Sequence, residues 1–296
     1  MSRLAIHILS FAFVISIFGC TKTIEFDGET KEPKIVINSL FNTRDTFRVH
    51  VSRSLALVDA GDLKPLKNAV LKVYDSKNNL VATPIHTKNG MFEAADFKPE
   101  DDEAYTIECE QDGYKSVSAT DIIPADATID RVDTSTVPMV GGGQQIQVDC
   151  VIDDQPGENF YMVRVKVGFT HKIDSNKTLT SYDYIWINTL DPNVDGGSAI
   201  DPYYAEQLVF SDANFDEKQY TFRFNIDSWF LQDEFISSMD VELLSLSEAT
   251  YNYFISLGQY DRTNGNPFAT PVQVYSNVDG GFGIFGGAAA KAYPIR

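Results

Sequence analysis

Short runs in which apolar and polar residues alternate occupy most of this chain, and this alternation constrains the fold more than any other feature. In the run Thr46–Arg53, the apolar residues Phe47, Val49 and Val51 take every second position. The run Tyr161–Phe169 repeats the pattern. A period of two places alternate side chains on opposite faces of a strand, as expected for half-buried β-strands. The alternation therefore predicts a mainly β protein.

The alternating runs fall into two groups, and 296 residues are enough for two modest domains. Turn-forming segments such as Lys88-Asn-Gly90 separate the short runs that precede Pro124. We expect an immunoglobulin-like or transthyretin-like β-sandwich over residues 34–124. Gly90-Met-Phe92 and Glu103-Ala-Tyr-Thr-Ile107 are similar to segments of transthyretin-like and carboxypeptidase regulatory-like sandwiches.

Residues 126–296 are expected to form a second β-rich domain with one or two short helices. The segment Ser247–Tyr260 brings several aromatic and aliphatic residues near one helical face, and Ser247 can cap its first turn. A second, shorter helical turn is predicted at Ser228–Asp233.

The N-terminus resembles the leader of a bacterial lipoprotein. Residues 4–18 are almost wholly apolar, but they are fewer than the ~20 residues that a spanning helix needs. Gly19-Cys20 completes a sequence similar to a lipobox, although Phe18 stands where a small residue is usual. We therefore expect a signal peptide at 1–19, a lipid on Cys20 and a polar tether over 20–33. The alternative is an N-terminal core helix with a buried cysteine.

Glycines interleave with bulky side chains near the C-terminus. The segment is Gly280-Gly-Phe-Gly-Ile-Phe-Gly-Gly287. Such spacing lets backbones approach closely while aromatic side chains fill the gaps. A nucleotide-binding loop is the competing interpretation, but no Lys-Ser or Lys-Thr pair follows the glycines.

Three segments precede this tail: Tyr251-Asn-Tyr-Phe254, Asn266-Pro-Phe268 and Pro271–Asn277. Together with the tail, they resemble the end of a Bacteroidota outer-membrane lipoprotein family. That family is catalogued as domain of unknown function 4249. The resemblance implies a noncatalytic protein that is lipid-anchored at the outer membrane. Its expected role is that of an accessory or ligand-binding partner of a TonB-dependent β-barrel transporter. The resemblance does not specify whether the protein lies on the surface or on the periplasmic face. A structural or adhesive surface protein is the alternative, and a glycan-active enzyme ranks third.

The two cysteines after Cys20 lie in alternating segments that end at Cys109 and Cys150. An exported protein meets an oxidising compartment, which allows a disulfide between them. Two buried free thiols, each acting as a small apolar residue, are the other interpretation.

Composition and motifs argue against several functions. A net charge of −18 repels nucleic acid phosphates, and no basic stripe relieves it. The sequence contains no HExxH pair and no Gly-x-Ser-x-Gly elbow. We therefore expect no catalytic residues, no nucleic acid partner and no cofactor other than a calcium ion.

A calcium loop is the metal site that the sequence favours. Asp191, Asn193 and Asp195 precede Gly196, as in the opening of a loop whose alternating oxygens surround a hard cation. The twelfth position is Pro202, where such loops carry a bidentate glutamate. These residue types also form ordinary turns, which is the alternative.

An aromatic stripe is the candidate ligand-binding feature. Tyr182, Tyr184 and Trp186 occupy alternate positions of one predicted strand. An exposed stripe could stack on sugar rings or another apolar ligand. The simpler interpretation places the three rings in the sandwich core, although Ile185 and Ile187 compete for the inward face.

Overall fold

The computed structural model describes residues 32–55, 63–139, 141–174, 177–196, 204–227, 235–266 and 268–295. Within these ranges the first strands are β1 (Ile35–Asn42), β2 (Phe47–Arg53), β3 (Lys64–Pro65), β4 (Val70–Asp75), β5 (Leu80–Ala82), β6 (Ile85–Lys88), β7 (Met91–Ala94), β8 (Ala104–Glu110) and β9 (Val117–Ile122). There follow β10 (Thr128–Pro138), β11 (Gln144–Asp153), β12 (Phe160–Asp174), β13 (Lys177–Ile185), β14 (Ile187–Asn188), β15 (Val194–Gly196), β16 (Tyr204–Ala205), β17 (Gln207–Ser211), β18 (Gln219–Asp227), β19 (Ile236–Leu246), the helix α1 (Glu248–Thr263) and β20 (Phe282–Pro294). The prediction of a mainly β fold is confirmed.

The described strands form three sheets. The large sheet has the order β15-β17-β12-β19-β20-β1-β2-β7-β6, with β13 also paired to β12 and β3 to β2. The five-stranded sheet has the order β10-β11-β18-β14-β16, and the four-stranded sheet has the order β5-β4-β8-β9. The two smaller sheets supply the partners against which the large sheet buries its apolar side chains.

Two separate hydrophobic cores result from this arrangement. The first core joins β1, β2 and β7 of the large sheet to the four-stranded sheet, and it includes Phe47 and Ile107. The second core joins β12, β17 and β19 to the five-stranded sheet, and it includes Val165 and Phe222. Apolar faces of two sheets packed together form a sandwich-like arrangement. One continuous sheet thus serves both sandwiches.

The last strand, β20, contributes to both cores. It runs parallel to β1, with Ile37 opposite Gly283, and antiparallel to β19. Its Phe285 belongs to the first core, stacked 4.4 Å from Phe41, while its Tyr293 packs against the second core. The C-terminal segment with β20 thus adds Phe285 to a core whose other strands all precede residue 124. The domain division at 124–126 stays a prediction.

The helix α1 begins one residue after the predicted start. The side chain of Ser247 accepts a hydrogen bond of 3.0 Å from the backbone N–H of Thr250 and so caps the first turn. The helix covers a third apolar cluster on the large sheet, where Phe160 stacks 4.3 Å from Tyr251. Among the described residues, no helix is long and apolar enough to cross a membrane.

Several predicted features lie outside the described residues. These are the signal peptide at 1–19, Cys20, most of the tether over 20–33, and the helical turn at Ser228–Asp233. They stay predictions.

The predicted disulfide between Cys109 and Cys150 is not formed. Both cysteines are free and buried, Cys109 in the first core and Cys150 in the second. A bridge requires Cα atoms about 4.4–6.8 Å apart, and the two cysteines belong to different cores. The alternative of two buried thiols is confirmed.

We expect both thiols to resist alkylation in the folded protein. Burial raises the pKa of Cys109 and of Cys150 to about 12, so that the reactive thiolate is scarce at neutral pH. Mass spectrometry after iodoacetamide at pH 8 should find both thiols unmodified in the native chain and modified in guanidinium chloride. Rapid native labelling of either cysteine would contradict this placement.

Candidate functional site

The outer face of the large sheet, the face turned away from the two cores, carries Tyr182 and Tyr184 of the aromatic stripe, and Trp186 follows the end of their strand, β13. Tyr182 is 62% exposed, Trp186 is also exposed and Tyr184 is half-buried. Ile185 and Ile187 point instead into the second core. The interpretation that placed the three rings in the core is therefore wrong, because the two isoleucines take the inward positions.

Two cations from β12 lie over the tyrosine rings of β13. The guanidinium carbon of Arg164 is 4.2 Å from the centroid of the Tyr184 ring, and Nζ of Lys166 is 5.2 Å from that of Tyr182. Cation–π contacts of this kind contribute roughly 0.5–1 kcal/mol at exposed sites. They fix both tyrosine rings against the sheet.

Glu242 of β19 is the charge around which these groups gather, and only 5% of its side chain is exposed. Arg164 Nε donates to Glu242 Oε2 at 2.8 Å, and the hydroxyl of Tyr184 donates to the same oxygen at 3.3 Å. Nη1 of Arg44 and Nζ of Lys166 each lie 3.9 Å from Glu242 Oε1. A buried carboxylate is tolerated when it is paired and hydrogen-bonded. Here three cations surround one carboxylate.

A recess of about 170 Å³ opens beside this cluster. Its lining is mixed: Gly286 and Ala288 of β20 are small, and Asp45, Arg164 and Tyr184 are among its polar residues. The lining comprises Leu40, Phe41, Asn42, Asp45, Met162, Arg164, Tyr184, Leu244, Leu246, Thr250, Phe254, Gly286 and Ala288.

The Tyr184 hydroxyl keeps its proton at neutral pH. Burial raises the pKa of Tyr184 to about 12; the positive charge of Arg164 opposes the increase and the negative charge of Glu242 adds to it. The phenol is therefore a hydrogen-bond donor, and it donates to Glu242. We name Arg44, Arg164, Lys166, Tyr182, Tyr184 and Glu242 the Glu242 cluster.

The sequence of residues 21–293 matches the family described as Domain of unknown function (DUF4249). The chain belongs to this family. The match spans every residue of the Glu242 cluster, and it confirms the resemblance seen in the C-terminal tail. A search of curated proteins gave no match.

In this DUF4249 protein the residues of the predicted calcium loop form a hydrogen-bonded turn. Oδ1 of Asp191 accepts from the backbone N–H of Asn193, and both oxygens of Asp191 accept from the hydroxyl of Tyr220. Asp195 Oδ2 belongs to a different network and accepts from Ser211 and from the hydroxyl of Tyr251. The structure thus brings Asp191 and Asn193 together and connects Asp195 to α1. The calcium loop itself stays a prediction.

A different set of carboxylates could hold a metal ion among the described residues. Asp154, Asp212 and Asp216 each place one oxygen within 4.8 Å of the others, and Asp154 and Asp212 are buried. The hydroxyl of Tyr161 donates to Asp154, and so does the backbone N–H of Glu217. The protein itself thus supplies hydrogen-bond donors to Asp154. Sequence reasoning missed this set of three carboxylates because its residues come from two separate turns.

We expect Asp212→Asn to stabilise the fold near neutral pH by roughly 0.5–1 kcal/mol. Burial raises the pKa of Asp154, and the charge of Asp212 raises it further. The folded state therefore holds a proton more tightly than the unfolded chain, and this contribution to stability is lost as the pH rises through the raised pKa. The asparagine removes the repulsion and still offers an oxygen to Asn159, whose backbone N–H donates to Asp212 at 2.9 Å.

Urea unfolding in EDTA at acid and neutral pH measures this effect. The gain from Asp212→Asn should be larger at neutral pH, while Asp153→Asn, at an exposed neighbouring carboxylate, should change little. A loss of stability at neutral pH in Asp212→Asn would contradict the expected repulsion.

Sequence reasoning also missed Glu242. Its signal was present, since Asp240-Val-Glu-Leu-Leu-Ser-Leu246 places an acid inside a strongly apolar strand. Such an acid requires a cation when it is buried. The partners come from β12, β13 and the residues after β1, so the pairing could not be read from one segment.

Proposed function

We propose that this DUF4249 protein is a noncatalytic, lipid-anchored protein of the outer membrane that binds a ligand on the outer face of its large sheet. We further propose that it works as an accessory of a TonB-dependent transporter. The observation that carries the proposal is the Glu242 cluster beside the recess. Three cations converge there on one buried carboxylate, and both tyrosine rings lie against the sheet.

The leader supports the membrane part of the proposal. An apolar segment too short to span a bilayer ends at Cys20, and the acidic, polar sequence that follows suits a tether. Several acyl chains on one cysteine give stable anchoring where a single chain is marginal. The anchor would hold the protein at the membrane.

We expect Cys20→Ala to remove acylation and membrane association. Cells fed a labelled fatty acid should incorporate it into the wild-type chain, which should fractionate with outer membranes, while the Cys20→Ala chain should be unlabelled. Cys109→Ala serves as the matched control, because it alters a buried thiol and leaves the leader intact. Equal labelling of the wild-type and Cys20→Ala chains would overturn the anchor.

Copurification tests the transporter. The anchored wild-type chain, crosslinked in cells and purified, should carry a TonB-dependent β-barrel identified by mass spectrometry. Recovery of no barrel, together with nutrient uptake that does not depend on the gene, would favour a structural or adhesive surface role.

A further inference from the structure

We infer that one end of the first sandwich, the sandwich built around the first core, rests on the surface of the lipid bilayer. This is the end at which the chain enters β1, and we name it the tether end. The inference rests on the proposed function, from which it takes the lipid on Cys20. It adds the surface of the protein that meets the membrane.

Strands from both sheets of the first sandwich reach the tether end. The backbone carbonyl of Lys34 accepts from the N–H of Ser54 at 2.8 Å, which joins the start of β1 to the end of β2. A Cβ atom at Gly281, just before β20, would lie 2.6 Å from the carbonyl oxygen of Ile35 and 2.9 Å from Cγ1 of Val117. The first residues of β1, β9 and β20 are therefore neighbours.

Three apolar side chains at the tether end are open to solvent. Leu63 is 63% exposed, and the next residue, Lys64, belongs to β3, which pairs with the end of β2. Leu55, just after β2, is 39% exposed. Phe282 is 42% exposed, and Nζ of Lys34 lies 5.2 Å from the centroid of its ring. Apolar side chains beside lysines suit the headgroup region of a bilayer, where lysine stems lie against apolar groups and the ammonium reaches polar surroundings.

Charge distinguishes the tether end from the opposite end of the same sandwich. Six cations lie at the tether end among the described residues: Lys34, Arg53, Lys64, Lys67, Lys88 and Lys115. The described acids there are Glu110, Asp112 and Asp279, and the bordering sequence adds Glu32, Asp59 and Asp62. The tether end, counted with its bordering acids, is thus neutral.

The opposite end is acidic. It comprises the described residues 42–46, 75–79 and 95–103, which connect β1 to β2, β4 to β5 and β7 to β8. Its cations are Arg44, Lys77 and Lys98, and its acids are Asp45, Asp75, Asp96, Glu100, Asp101, Asp102 and Glu103. Anionic lipids give a bilayer surface a negative potential, which repels the opposite end and does not repel the neutral tether end.

The position of the lipid favours the same end. Residues 21–34 link Cys20 to the start of β1, and as a flexible coil they span roughly 20 Å, at 5–6 Å times the square root of the residue number. The eight residues of β1 carry the chain about 26 Å further to the opposite end, at ~3.3 Å per residue. A short link raises the effective concentration of the tether end at the bilayer, so that weak contacts are sufficient.

Fluorescence quenching in vesicles tests the inference. The acylated full chain with Leu63→Cys is labelled with an NBD maleimide and inserted through its lipid into vesicles of phosphatidylethanolamine with a minority of phosphatidylglycerol. Lipid that carries a nitroxide near its headgroup should remove most of the fluorescence. The chain without this substitution should take up no label, because Cys109 and Cys150 are buried.

Leu80→Cys is the matched control. Leu80 is also an exposed leucine of the first sandwich, 55% exposed, but it lies beside the turn at residues 75–79, at the opposite end. The same probe at this position should lose little fluorescence to the nitroxide lipid.

Charge reversal tests the electrostatic part. Lys64→Glu/Lys67→Glu should reduce the quenching of the probe at Leu63→Cys, because the tether end becomes acidic. Lys77→Glu/Lys98→Glu makes the same change at the opposite end and should leave that quenching unchanged. Circular dichroism should show that all these variants are folded.

Equal quenching at Leu63→Cys and Leu80→Cys, no quenching at Leu63→Cys, or equal effects of the two charge reversals would each overturn the inference. Mass spectrometry of the same samples separates this failure from failure of the proposed function. A chain without acyl mass on Cys20 refutes the anchor and the inference together. An acylated chain that is not quenched at Leu63→Cys refutes the inference alone.

Discussion

Replacing Arg164 with methionine is expected to lower the free energy of unfolding by about 3 kcal/mol. The change leaves Glu242 buried without the cation that holds it at 2.8 Å. Removing one partner of a buried ion pair usually costs 3–5 kcal/mol. We expect the lower end of that range, because Arg44 and Lys166 remain 3.9 Å from the carboxylate. Urea unfolding followed by circular dichroism measures the change.

Two further variants isolate the buried charge as the cause. Arg48→Met breaks the exposed pair with Glu93, joined at 3.0 Å, and should cost only about 0.2–1 kcal/mol. The double variant Arg164→Met/Glu242→Leu should recover most of the lost stability, since the buried carboxylate is gone and the remaining cations, Arg44 and Lys166, reach solvent. An effect of Arg164→Met no greater than that of Arg48→Met would show that Glu242 does not need its partner.

Gly283→Ala is expected to destabilise the fold by about 3–4 kcal/mol, because two costs of about 1–3 kcal/mol each combine. Gly283 has φ +103°, a conformation that residues with side chains rarely adopt. A Cβ atom there would also overlap the carbonyl oxygen of Ile37. That carbonyl belongs to β1, so the overlap can be relieved only by moving apart two paired strands, β1 and β20.

Gly142→Ala separates the two costs. Gly142 has the same φ of +103°, but a Cβ atom there meets nothing within 4 Å. This control should therefore lose only the conformational part, about 1 kcal/mol. Equal losses in unfolding free energy for Gly283→Ala and Gly142→Ala would contradict the close approach of β20 to β1.

The sequence predicted the strands because alternation is a local signal. Phe47, Val49 and Val51 face the first core as their spacing indicated. The glycine tail was also predicted to allow close backbone packing, and the position of Gly283 against Ile37 confirms it. The pairing of β20 with β1 could not be predicted, because it joins residues far apart in sequence and no local pattern specifies the partner.

The candidate site was predictable only in part. Tyr182 and Tyr184 of the predicted stripe lie on β13, while Trp186 lies just beyond its end. Periodicity alone could not decide which face of the strand is buried. The Glu242 cluster depends on a register in which Arg164 lies directly opposite Glu242 across β12 and β19. Register is a long-range property set by both cores together, so the sequence around Glu242 could show only that an unusual acid was present.

Photocrosslinking in living cells tests most directly whether the outer face of the large sheet is the working surface. A benzophenone side chain at the exposed Tyr182, in the full chain with its leader and Cys20 intact, should crosslink to the proposed TonB-dependent β-barrel. The same group at Glu108, exposed on the four-stranded sheet, should not. A barrel captured equally from both positions, or from neither, would contradict the assignment of function to this face.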